Sequence, residues 1–253
     1  MSPLGLQSFS GALPVNLEPI DRSAVVLLSG GQDSTTCFHY ALHKYERGIM
    51  AVLFDYGQRH RVELELAAET ARQYGVQWRI IPIEALGQMG LASLTNDGID
   101  NTPGGAPAAD GWHARHGLPP SFVPGRNALF FTLAAALAIP LDFDAIVTGV
   151  CGTDHAGYPD CRPEFVASMQ EALRHGMDAP DFRIDAPLLP LTKAQTWALA
   201  DGLGVVDRIV TDTHTCYEGD RTTLHPWGYG CGECGACVER ANGYEEWKSG
   251  AGR

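Results

Sequence analysis

"AVVLLSGGQDSTTCFHY", residues 24–40, is a continuous apolar run that breaks into Ser-Gly-Gly and resumes as a helix. A buried strand that ends in a glycine turn and opens a helix turns its free backbone N–H groups toward an anion. The helix dipole adds roughly 0.3–1 kcal/mol of preference for negative charge. Gly30 and Gly31 let the backbone approach closely, and Ser29, Ser34, Thr35 and Thr36 crowd hydroxyl donors around the same spot. The spacing is neither G-x-x-x-x-G-K-[ST] nor G-x-G-x-x-G. A lysine of the first motif would grip the β and γ phosphates of a nucleotide. Without it, a tight cradle of amides and hydroxyls suits a compact leaving dianion such as pyrophosphate. The competing reading of Ser-Gly-Gly alone is an ordinary tight βα turn with a serine cap.

The same alternation runs outward from this turn. Strands are expected at 23–28, 49–57 and 77–83, separated by helices over about 33–45 and 60–75, the second ending at Gly75. Another strand is expected at 143–150, with helices from near 125, near 163–175 and near 192–203, the last capped by Thr192. Strand, helix, strand predicts an α/β fold, a parallel sheet with crossover helices. The segment 84–122, with "TPGGAPAADGWHARHGLPP", interrupts the pattern as a long loop or lid. The chain divides into an N-terminal arm over 1–22, an α/β domain over 23–210 and a small extension over 211–253.

With 253 residues, 45% of them hydrophobic, the chain can bury a full core. A net charge of −12 argues against a broad grip on nucleic acid and favours small-molecule chemistry. The first 23 residues lack a basic region followed by an apolar one, so they do not read as a signal peptide. The apolar stretch 128–141 is too short to cross a bilayer. Seven cysteines, an odd number, fit the reducing cytoplasm better than a disulfide scaffold.

Four of these cysteines crowd together. Cys216, Cys231, Cys234 and Cys237 follow C-x14-C-x2-C-x2-C, a pattern that can close a tetrahedral, structural Zn²⁺ site. An iron–sulfur cluster competes, because C-x2-C-x2-C also occurs in ferredoxins. The upstream position of Cys216 and the lack of a downstream Cys-Pro favour zinc. His214 and His225 flank the cluster and are left out of the ligand set.

Three further clusters sit where a parallel sheet binds ligands, beyond strand C-terminal ends. They are Asp55, Tyr56, Gln58, Arg59 and His60; Arg126 and Asn127 at a helix start; and the polar loop with Asp154, His155, Tyr158, Asp160 and Arg162. The last suits recognition of a polar heterocycle. Lys193 opens a helix, where its charge opposes the dipole unless a phosphate is near.

"SGGQDS" after a buried strand resembles the PP-loop of the ATP pyrophosphatases, which cleave ATP to AMP and pyrophosphate. Together, "SGGQDSTTC", "FDYGQRH", "FVPGRN", "GYPDCRPEF", "TKAQTWALA", "CGECGAC" and "RANGY" resemble the 7-cyano-7-deazaguanine synthase family of queuosine biosynthesis, from Val25 to Tyr244. That resemblance implies ATP-dependent conversion of 7-carboxy-7-deazaguanine and ammonia to the nitrile, by adenylation, amidation and dehydration: an enzyme forming carbon–nitrogen bonds. It implies an ATP site over Leu28, Ser29, Gly30, Gly31, Gln32, Asp33, Ser34, Thr35, Thr36, Cys37 and Phe38. Within it, Asp33 holds Mg²⁺, and Ser29, Ser34 and Lys193 serve the phosphates. It also implies a homodimer with no direct nucleic-acid contact. No region is left over for a glutaminase domain, which fits free ammonia as the nitrogen source. The alternatives are a PP-loop ligase or thiolase acting on tRNA, or a non-catalytic nucleotide-binding zinc module.

Overall fold

A computed structural model describes residues 15–58, 61–89, 92, 94, 95, 112–152 and 157–250. Its centre is a parallel sheet built from β1 (Ala24–Leu27), β2 (Ile49–Asp55), β3 (Trp78–Pro82), β4 (Ala145–Val147) and β5 (Arg183–Asp185), in the order β3-β2-β1-β4-β5. Every neighbouring pair is parallel. The helices follow: α1 (Gln32–Lys44), α2 (Val62–Gln73), α3 (Glu84–Met89), α4 (Trp112–Arg115), α5 (Arg126–Ala138), α6 (Pro163–Gly176), α7 (Lys193–Gly202), α8 (Val206–Asp212) and α9 (Gly235–Ser249).

The apolar runs that announced the strands are continuous because both faces of the sheet are covered. Successive side chains of β1 go to opposite cores. Ala24, Val26 and Leu28 join Phe38, Leu64, Trp197 and Ile209 on one face. Val25 and Leu27 join Phe131, Val166, Leu173 and Leu86 on the other. Helices α1 and α2 carry the chain outward from β1 to β3 on the first face, and α5 and α6 carry it through β4 to β5 on the second. Right-handed crossovers produce this arrangement when the chain reverses direction at β1 and β4.

The expected capping of α7 is present as a full box. Thr192 accepts from the Gln195 backbone N–H at 3.2 Å, and the Gln195 side chain accepts from Thr192 N–H at 3.0 Å. Three elements were not foreseen: β5, α8 and a two-stranded hairpin of β6 (Leu224–His225) and β7 (Gly228–Tyr229). Two short helices, α3 and α4, lie in the segment expected as loop. Leu86 of α3 is buried in the second core, which anchors that turn of helix despite its glycine-rich surroundings. Among the described residues no helix is long and apolar enough to cross a membrane.

Candidate active site

The strand order reverses between β1 and β4, and the crevice beyond their C-terminal ends is where open α/β sheets bind ligands. A cavity of about 270 Å³ opens there. Its floor is the turn after β1, with Leu28, Ser29, Gly31, Gln32, Asp33 and Ser34. The Ser34 hydroxyl lies 2.9 Å from that of Ser29 and accepts from the Ser29 N–H at 3.1 Å, which closes the turn. Gly30 sits at φ +85°, and a Cβ there would meet the Glu63 carbonyl oxygen at 2.3 Å. The first turn of α2 therefore rests directly on this loop.

The far end of the run from Leu28 to Phe38 turns away. Thr36 bonds its hydroxyl to the Gln32 carbonyl at 2.9 Å, Cys37 donates to the Thr148 carbonyl at 3.4 Å, and Phe38 is core. Thr35 is buried, and none of these four lines the cavity. The rise of about 1.5 Å per residue carries the helix away from the turn, so the cavity-lining set of this run ends at Ser34.

Lys193 and Asp33 meet each other: Nζ to Oδ2 is 2.9 Å, with Glu239 Oε1 at 3.7 Å. The pair resolves the unfavourable charge at the α7 N-terminus. The second oxygen of Asp33, Oδ1, is buried with no hydrogen-bond partner among the described residues.

Of the cluster after β2, Tyr56 and Gln58 line the cavity and Asp55 does not. Phe54 and Tyr56 share one side of the strand end and Asp55 takes the other, where Arg61 pairs with it at 2.7 Å. Gln58 is occupied in clamping its own loop, accepting from the Tyr56 N–H at 3.0 Å and donating to the Phe54 carbonyl at 3.2 Å. Arg59, His60, Asp154 and His155 lie outside the described residues.

Arg126 enters the cavity. Burial works against its charge, yet Tyr56, Asp160 and Tyr158 around it hold the guanidinium above its ordinary value. Burial raises the Tyr56 hydroxyl, and Arg126, hydrogen-bonded to it, opposes that rise. Asn127 and Asp160 bind each other: the Asn127 N–H donates to Asp160 Oδ2 at 3.3 Å and its side-chain amide to the Asp160 carbonyl at 3.3 Å. A carboxylate on the first turn of α5 also favours that helix electrostatically. Asp160 thus secures Arg126's helix and does not line the cavity, contrary to expectation. The Tyr158 hydroxyl lines it, 2.5 Å from Ser121 Oγ and 3.2 Å from the Tyr217 hydroxyl.

Several lining residues were not singled out from the sequence: Glu63, Thr215, Tyr217, Glu239 and Arg240. Burial pushes the Glu63 carboxyl up to about 8, Arg126 pulling the other way. Arg240 is 1% exposed and is held by three acceptors: the Trp227 carbonyl at 2.8 Å, the Ile209 carbonyl at 2.7 Å and Thr215 Oγ1 at 2.9 Å. Thr215 Oγ1 in turn accepts from the Gln32 N–H at 3.3 Å, and the His214 N–H donates to the Gly30 carbonyl at 2.9 Å. A continuous hydrogen-bonded line therefore joins α9 to the glycine turn. Only the proximity of Tyr217 to Cys216, and the arginine in "RANGY", signalled any of this in the sequence.

The four cysteines come together as expected, their sulfurs all within 4.8 Å of one another. The Cys231–Cys237 and Cys216–Cys234 sulfurs are 3.9 and 4.0 Å apart. A tetrahedron with arms of about 2.3 Å has edges of about 3.8 Å, so the donor set fits a thiolate-bound ion. Backbone N–H groups of Tyr217, Cys231, Glu233 and Cys234 point at these sulfurs at 3.3–3.4 Å, as suits thiolates. His225 is turned away, stacked on Trp227 with ring centroids 4.4 Å apart. Cys216 and Tyr217 also line the cavity, so the cysteine knuckle forms part of its wall.

A five-stranded parallel sheet, with a lysine-free serine–glycine turn at its switch point, defines an α/β protein of the PP-loop class. The chain belongs to the family described as queuosine biosynthesis protein QueC, whose model matches residues 23–248. It is 46% identical over 252 residues to a protein named 7-cyano-7-deazaguanine synthase from Polaromonas naphthalenivorans strain CJ2, covering 94% of this chain and 100% of that one. A protein of the same name from Polaromonas sp. strain JS666 is 48% identical over 241 residues, 89% of this chain and 96% of that one. One from Caulobacter sp. strain K31 is 46% identical over 255 residues, 94% and 96%. Among solved structures, the U34-tRNA thiolase NcsA from Methanococcus maripaludis aligns with a TM-score of 0.46 at 12% identity, over 92% of this chain and 66% of that one.

Proposed function

We propose that the protein converts 7-carboxy-7-deazaguanine and ammonia to 7-cyano-7-deazaguanine, consuming ATP as an enzyme that forms carbon–nitrogen bonds. The observation that carries this reading is the shared cavity. A cradle for departing phosphates and a second cationic group, Arg126, open onto one volume, as the joining of two anionic reactants requires. The amides of the turn and the hydroxyls of Ser29 and Ser34 take the outer two phosphates. Asp33, with its unpartnered Oδ1, would hold Mg²⁺, which supplies neutralisation of phosphate charge. Lys193 holds Asp33 in place. Arg126 takes the carboxylate of the deazapurine, bidentate geometry being the strength of a guanidinium. The four cysteines would hold one structural Zn²⁺, which supplies rigidity to the wall carrying Tyr217.

In this reading a substrate carboxylate oxygen attacks the α-phosphorus, the α–β bridge breaks and pyrophosphate leaves. Ammonia then forms a C–N bond at the activated carbon and AMP departs with the electron pair of the C–O bond. A second ATP adenylates the amide oxygen with release of pyrophosphate; loss of both N–H protons and of AMP, which carries the oxygen away, leaves the C≡N bond. No protein nucleophile is needed, and the work is positioning and charge stabilisation. Incubation with ATP, the carboxylated deazapurine and ammonium tests it. AMP, pyrophosphate and a nitrile seen by mass spectrometry support the reading. ADP with orthophosphate, or release driven by tRNA in place of the deazapurine, overturns it.

A further inference from the structure

Glu63 is a carboxylate in a cavity that has to accept anions. It is the second residue of α2, its own carbonyl packs against Gly30, and its side chain lines the cavity together with Arg126 and Ser29. The carboxylate of Asp33 has a lysine at 2.9 Å, and that of Asp160 an amide N–H at 3.3 Å; Glu63 has no hydrogen bond to any described residue. Once ionised, Glu63 repels both the nucleotide phosphates and a substrate carboxylate, and its removal from water pushes the carboxyl up to about 8 although Arg126 pulls the other way. A small cation between the two reactants turns that repulsion into attraction. Of the reactants in the proposed reaction, only the nitrogen source exists in water chiefly as a cation.

Resting on the function proposed above, we propose that the Glu63 carboxylate receives the ammonium ion beside the activated carboxyl and takes the proton that frees its lone pair. One N–H bond of ammonium breaks and an O–H bond forms on Glu63. The freed lone pair makes the C–N bond as the C–O bond to AMP breaks, AMP leaving with those electrons, and the added nitrogen sheds its surplus proton to water. Ammonium donates up to four charge-assisted hydrogen bonds, which suits a carboxylate with no fixed partner. The rival occupant is the magnesium ion, and the two differ in the step that fails when the carboxylate is removed.

The test separates activation from amidation in the full-length protein with its metal bound. Activation is read as substrate-dependent exchange of pyrophosphate into ATP without ammonium, and amidation as amide plus nitrile formed with ammonium. Glu63→Gln is expected to lower amidation about 100-fold or more, the range of a lost general base, while exchange falls less than about threefold. Hydroxylamine, largely neutral near pH 7.5, bypasses the need for deprotonation, and hydroxamate formation by the variant stays within about threefold of the parent. Glu63→Asp restores part of the ammonium reaction. An equal loss of exchange and amidation, or a raised magnesium requirement for exchange, overturns the proposal. Absence of exchange in the parent protein overturns the functional reading itself and is thereby told apart.

Discussion

Gly30→Ala tests whether the contact between α2 and the glycine turn sets the geometry of the site. Two effects follow from the structure. The φ of +85° imposes left-handed backbone on an L-residue, at a cost of roughly 1–2 kcal/mol. The new Cβ meets the Glu63 carbonyl at 2.3 Å where ordinary contact begins at 3.4 Å. The obstacle is the helix backbone, so α2 and the turn must separate by roughly 1 Å, and a displacement of that size near reacting atoms costs about 100-fold in rate. Gly48→Ala is the control: its φ is +98°, and nothing lies within 4 Å of the added Cβ. Both variants are expected to lower the thermal midpoint by roughly 2–8 °C from the backbone term. Only Gly30→Ala should lose about 100-fold in substrate-dependent pyrophosphate exchange. Exchange in Gly30→Ala within about threefold of the Gly48→Ala value refutes the reasoning, because strain alone would then account for both.

Two further outcomes are expected. His39 is 4% exposed, and burial, with Arg208 of α8 adding to it and Asp212 opposing, lowers its imidazole from 6.5 to about 4. The unfolded chain takes up a proton as pH falls through 6.5 while the native protein does not until about 4, so stability is complete above that window and falls within it by about 3 kcal/mol. Urea unfolding of His39→Leu near pH 7.5 and near pH 4.5 should show a fall smaller than the parent's by about that amount, and parallel falls would refute it. For the knuckle, elemental analysis is expected to find one zinc per chain in the parent and none in Cys216→Ser, with pyrophosphate exchange lost along with the metal; full exchange in a metal-free variant would contradict the placement of Cys216 and Tyr217 in the cavity wall.

The strands and helices of the first half were legible because each is long enough to show its period and the sheet is buried on both faces. Strand β5 has three residues, the hairpin strands two each and α8 seven, too few for a pattern to stand out from flanking loops. The glycine turn and the four cysteines were legible because their chemistry depends on local spacing. Asp55 and Thr36 were placed by proximity to a motif, and single-residue geometry decides otherwise: strand alternation turns Asp55 to Arg61, and helix rotation turns Thr36 to the Gln32 carbonyl. Glu63 and Thr215 reach the cavity from elements with no signature of their own. Their contribution depends on long-range packing, Thr215 meeting Gln32 across 183 positions of sequence.

That last contact bears on when the site comes into being during synthesis. The turn emerges from the ribosome early, but the threonine that braces it is itself held by Arg240, near the other end of the chain. A nascent chain therefore carries the glycine turn long before it owns the pocket whose floor that turn forms. Translation that halts in the final helix leaves a polypeptide with its recognisable motif intact and its pocket missing a side.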